Sequence, residues 1–168
     1  MANQYSPAPE VEQIAQALIL DYHTHLSTAR IKFVFCAEPS KRRGQIVWGK
    51  AKLVTGLNAW LVTPEDERSE DPEPFFVLEI ARLIWDQLDD KAQRALVDHE
   101  LSHFDVDIDS GDYRLMPHDL EEFTSVVRRH GLWRPEVSEF VKAGAKQARL
   151  PGFDKITLEL VQPKAATR

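Results

Sequence analysis

Val97-Asp98-His99-Glu100-Leu101-Ser102-His103-Phe104 is the stretch on which the reading of the chain turns. It contains His-Glu-x-x-His. On an α-helix, residues four apart lie on one face, one turn above the other. A helix here points His99 and His103 the same way, where both can ligate one metal ion. Glu100 stands one step round, so its carboxylate reaches a water on that ion rather than the ion itself. Two imidazoles and a general base at this spacing form the pattern of a zinc hydrolase. The helix is expected to start at Asp89 or Asp90, with Asp90 and Gln93 spaced as a capping box, and to run to about Val106. Leu96, His99, His103 and Val106 read as one face, and Val97, Leu101, Phe104 and Ile108 as another, which predicts a helix buried on two faces.

A catalytic zinc usually has three protein ligands and one open position. His118 is the best third candidate, fifteen residues beyond His103 on a segment read as the start of a helix, Pro117 to His130. Glu122 is the runner-up, followed by Glu121 and then Asp105 or Asp109. Asp105, Asp107, Asp109, Gly111 and Asp112 crowd the loop after the motif. An EF-hand started at Asp105 would need glycine at Ser110 and glutamate at Met116, so a calcium loop is set aside. Acceptors for the histidine N–H groups, or a solvated loop, remain as readings.

Outward from the motif, the pattern alternates helix and strand. Pro9 to His25 reads as a helix through Val11, Ile14, Leu18 and Tyr22. His23 and His25 near its end suit the helix dipole. Ile31 to Cys36 reads as a strand, Pro39 to Gly44 as a turn, Gln45 to Val54 as a second strand with Ile46, Trp48 and Ala51 to Val54 as candidates to face a core, and Leu57 to Thr63 as a third. Pro64 to Pro74 is acidic, with no apolar side chain apart from its prolines, and reads as a mobile surface loop. Phe75 to Ile80 is expected to be a strand at a sheet edge, where a peptide can pair. Ala81 to Leu88 reads as a short helix with Trp85, and Pro135 to Ala148 as a late helix. Ile156 to Val161 reads as a last strand, with flexible tails at 1–7 and 162–168.

The sum is an α+β chain. Its 168 residues suit one domain, and 43% hydrophobic with 29% charged residues is ordinary for a globular protein. A net charge of −6 disfavours a general nucleic-acid binder. The single cysteine, Cys36, excludes an internal disulfide and reads as a buried hydrophobe. The polar start, Met1 to Glu10, lacks the apolar core of a signal peptide, and no run reaches the length of a membrane span. A cytoplasmic protein is expected, with no membrane partner.

Leu78-Glu79-Ile80, Trp85, the run from Gln93 to His103 and His118-Asp119-Leu120-Glu121-Glu122-Phe123 together resemble the putative phage metallopeptidase family. The resemblance spans about Ile31 to Trp133. It implies a minimal zincin: a small mixed or antiparallel sheet packed against a central His-Glu-x-x-His helix and flanking helices, one domain over residues 1–168. It also implies Zn2+ held by His99, His103 and His118, with Glu100 as base, and a protein or peptide substrate in the cytoplasm of a host cell. Ser102 stands where relatives carry cysteine or another small residue. Tyr113 and His130 are weaker candidates to assist at an oxyanion. Two other readings fit the residues. One is a zinc-containing binding module, an inactive zincin acting on a host protein. The other is a zincin protease acting on DNA-bound proteins through Lys41-Arg42-Arg43 and Arg128-Arg129.

Overall fold

A computed structural model describes residues 4–42, 44–70, 72–120, 124–132 and 135–147. Two compact units divide the chain, Met1–Pro117 and His118–Arg168.

The first unit is built on a four-stranded sheet. β6 (Phe75–Ala81) is an almost unbroken apolar run, the composition of a strand covered on both faces. It lies inside the sheet, parallel to β2 (Ile31–Cys36) on one side and antiparallel to β5 (Gly49–Val54) on the other. The expected sheet edge at Phe75 to Ile80 is therefore corrected: in the order β1-β2-β6-β5, the strand next to the motif helix with no further neighbour is β5. At the other end, β1 (Tyr5–Pro7) pairs with Val34–Cys36, so residues 5–7 form a strand rather than a tail. Phe76, Leu78 and Ile80 point into the core. On the opposite face Glu79, only 4% exposed, is neutralised by Lys50 at 3.5 Å and by Lys52.

Helices cover the core face. α1 (Pro9–Asp21) buries Val11, Ala15 and Leu18. It stops four residues before the expected end, and Thr24–Leu26 forms a separate 3-10 turn. A short hairpin of β3 (Lys41–Arg42) and β4 (Gln45–Ile46) follows β2, and Trp48 is half exposed beyond it rather than facing a core. Leu57 to Thr63, expected as a strand, is the helix α2 (Gly56–Val62). Leu57, Ala59 and Leu61 mimic an alternating strand, but alanine and leucine favour helix and such a short run does not fix its period. Only Ala59 is buried there, and the Thr63 hydroxyl donates to its carbonyl. The acidic stretch after it is exposed and held back by Arg68, which donates to the Trp60 and Thr63 carbonyls and stacks on the Trp60 ring.

α3 (Arg82–Trp85) leads into the motif helix, α4 (Asp90–Leu101). Its cap is Asp89, whose carboxylate accepts from the Ala92 N–H at 2.8 Å. Gln93 does not close a capping box; its side chain donates to the Trp85 carbonyl. α4 also ends early. Ser102 donates through both its backbone N–H and its hydroxyl to the Asp98 carbonyl. β7 (Phe104–Val106) then pairs with β8 (Tyr113–Leu115). Phe104, with its ring stacked on Phe76 at 4.3 Å, is thus core-facing from a strand and not from the helix. The expected two-sided burial is corrected with it: α4 buries Val97, Glu100 and Leu101, while His99 is exposed.

In the second unit, α5 (Thr124–His130) ends in Arg128, Arg129 and His130. Gly131, at φ +67°, donates its N–H to the Val127 carbonyl, the expected helix stop. Pro117–Leu120 is not helical. The Met116 N–H is still bonded to the His103 carbonyl, and a residue before proline is poorly suited to helix. α6 is Pro135–Gln147. The expected strand at Ile156 to Val161, the tail at 162–168, and Glu121 and Glu122 lie outside the described residues.

The fold predicts that Asp89→Ala removes the cap of α4 and costs about 1 kcal/mol, measured by urea unfolding.

Candidate metal centre

His99 lies in the last turn of α4, and His103 lies two residues past its end. Their rings are 5.2 Å apart between centroids and nearly perpendicular. The break in the helix gives His103 a partner that a longer helix would deny it. Its Nδ1 is 2.6 Å from the Met116 carbonyl oxygen, and the Met116 N–H donates to the His103 carbonyl at 2.8 Å. This pairing continues the β7–β8 ladder by one residue. A carbonyl only accepts, so Nδ1 carries the proton and Nε2 carries the lone pair. Two residues after Met116 comes His118. One ligand nitrogen from each of His99, His103 and His118 can be chosen so that all lie within 4.8 Å of one another. Among the described residues, this is the one cluster of three or more His, Cys, Asp or Glu side chains able to hold a metal ion.

Glu100, 5% exposed, lies on the sheet side of α4. Burial pushes its carboxyl up from an ordinary 4.5 to about 7, partly opposed by nearby His103 and by a hydrogen bond from the Ala51 N–H. That N–H is available for a topological reason. The Ala81 N–H donates to the Trp48 carbonyl at 2.8 Å, so positions 48, 50, 52 and 54 of this segment bond to β6. The backbone groups of Gly49, Ala51 and Leu53 therefore point away from the sheet.

His23 and His25 stay out of the cluster and bond to the motif segment instead. His23 Nε2 is 2.7 Å from Asp98 Oδ1, and His25 Nε2 donates to the Phe104 carbonyl at 3.2 Å. The two rings brace the segment that carries the motif, one on each side of His103 in sequence. Asp105 and Asp109 are not in the cluster. The aspartate-rich loop is closed on itself: Asp107 Oδ1 accepts from the Asp109 and Ser110 N–H groups at 3.0 Å each, and Asp107 also pairs with Arg114. The Tyr113 hydroxyl accepts from the Arg30 N–H at 3.0 Å, while its ring lies 4.8 Å from Phe76. His130 sits exposed in the last turn of α5.

Sequence reasoning missed the groups that hold the motif: the Met116 carbonyl, the Ala51 N–H, and Gly49 beside Glu100. Backbone groups leave no residue-type signal. The glycine did leave one, because an isolated glycine in a strand often marks a close approach.

A mixed sheet carrying one helix with a histidine cluster at its end defines a small zincin-like α+β protein with a candidate metal centre. Residues 3–148 match the model of the putative phage metallopeptidase family, and the chain belongs to that family. The family description is that of a metallopeptidase, a hydrolase class that acts on proteins or peptides, and it reaches this chain at family level only. No curated protein and no solved structure matches the chain. Among the described residues, no helix is long and apolar enough to cross a membrane.

The raised Glu100 carboxyl has a consequence for the metal-free protein. Between about 4.5 and about 7 the folded state holds this proton while the unfolded chain has lost it. The contribution of this group to stability therefore falls as pH rises through that window. Glu100→Gln should remove that slope. The metal-free variant should be more stable than metal-free wild type at pH 8, by at most about 3 kcal/mol, and similar to it at pH 4.5. Thermal unfolding across pH measures the difference.

Proposed function

We propose that this chain is a zinc peptidase in which His99, His103 and His118 hold the metal and Glu100 is the general base. The observation that carries the reading is the approach of three imidazole nitrogens to within 4.8 Å, with a buried carboxylate from the residue between the two motif ligands. The donor set fits. Around a tetrahedral zinc at about 2.0–2.1 Å, ligand nitrogens stand roughly 3.3 Å apart, which small side-chain rotations achieve from the present spread. Neutral imidazole is a borderline-soft donor suited to zinc, and Nε2 of His103 carries the lone pair that ligation needs. When bound, zinc supplies a charge that polarises a carbonyl and acidifies a water.

The remaining work falls to the chain. Glu100, buried beside the histidine cluster, is placed to take a proton from water and return it. In this reading Glu100 accepts a proton from the attacking water and passes it to the leaving amine nitrogen. The Ala51 N–H keeps the carboxylate oriented between those transfers. The substrate lies as an added strand along the outer edge of β5. There the backbone of Gly49 and the carbonyl of Ala51 point outward, and main-chain hydrogen bonds can hold an extended peptide of varied sequence.

Metal analysis of the purified protein tests the ligands. Wild type should bind one zinc, and His99→Ala and His118→Ala should bind it far more weakly; wild-type protein unable to bind stoichiometric metal would end the proposal. A proteome-derived peptide library tests the base. Glu100→Gln should keep its zinc and lose cleavage by at least a hundredfold, within the range general-base catalysis provides, roughly 10²–10⁴-fold.

A further inference from the structure

Gly49 opens β5 directly beside Glu100. A Cβ built on its backbone would stand 2.7 Å from Cδ and 2.8 Å from Cγ of Glu100, well inside carbon–carbon contact. Gly44, Gly56, Gly111 and Gly144 have no atom within 4 Å of such a carbon. The need for glycine at 49 is not conformational, since Gly49 is not among the glycines with positive φ. It pairs with Ile80 in the regular antiparallel ladder. Position 49 shares a sheet face with Ala51 and Leu53, both packed against the core, and at 49 the place of a side chain is taken by the Glu100 carboxylate.

We infer that Gly49 is a positioning residue whose missing side chain forms the seat of the Glu100 carboxylate. The inference rests on the proposed role of Glu100 for its catalytic meaning, although the seat itself is a matter of geometry. A methyl group at 49 collides with the carboxyl group of Glu100 and also with Cγ behind it, so turning the carboxyl group alone does not relieve the contact. Backbone on the Gly49 side and α4 on the other leave Glu100 one way to yield, which is to lift out of its buried position. Lifting separates it from the Ala51 N–H and moves the base relative to the histidine cluster. The histidines are held by other partners, His103 by the Met116 carbonyl, so the metal site survives the change.

The test is a double-substitution cycle on the full chain, read first without any substrate. Gly49→Ala should lower the melting temperature of the metal-free protein by several degrees in the wild-type background. In a Glu100→Ala background the same substitution should be neutral or stabilising, because the colliding atoms are gone and alanine suits a strand better than glycine. Equal destabilisation in both backgrounds would overturn the seat, as would no destabilisation in either. With a cleaved peptide in hand, Gly49→Ala should retain wild-type zinc content while kcat falls roughly 10–100-fold, the scale of an ångström-level misplacement. An unchanged kcat would overturn the positioning role. Failure of wild type to bind zinc would count against the peptidase reading and leave the stability cycle to decide the seat.

Discussion

Burying a carboxylate at the end of a helix is costly unless neighbours take over what water provided. Glu100 imposes that requirement on the whole first unit. Its hydrogen-bond donor must come from backbone pointing out of a sheet, so the strand beside α4 has to be the outermost one. The donor must also have the right parity, and the pairing of β5 with β6 delivers it at Ala51. β6 can then be apolar on nearly its full length, because the outward-facing backbone has been assigned to its neighbour. The one acid that β6 carries, Glu79, is matched by lysines of that same neighbour.

The end of α4 answers a second demand. Continued helix would have left His103 on a helical face with no acceptor at a fixed position. By stopping at Leu101 and entering β7, the chain sets His103 at the base of a hairpin, where a main-chain carbonyl holds one ring nitrogen. A carbonyl is a durable choice of acceptor: it does not titrate in the working range of a peptidase, and its position follows from strand register rather than from a rotamer.

Much of this was legible before any coordinates. The strand at Ile31–Cys36 matched to the residue and Phe75–Ala81 to within one. The starts of α1 and α4 also matched, because proline, aspartate and apolar periodicity are local signals. The histidine cluster was legible as residue types at a spacing. What failed was whatever depends on long-range pairing. The run from Leu101 to Ile108 kept an apolar pattern after the helix had ended, since Phe104 and Val106 face the same core from a strand. The order of strands in the sheet carries no local signature at all, which is why β6 was read as an edge. Leu57–Thr63 failed for the opposite reason: it is short and mostly exposed, so neither propensity nor burial dominated its pattern.

The brace from His23 to Asp98 and from His25 to Phe104 ties the turn after the first helix to the segment that carries the motif, across some 75 residues of sequence. Opening the end of α4 must therefore release both imidazole contacts at once. The two contacts join α4 and the segment just after it to the Thr24–Leu26 turn, although more than sixty residues separate them in the chain. The two motif histidines of the candidate metal centre are thereby tied to the turn that follows the amino-terminal helix.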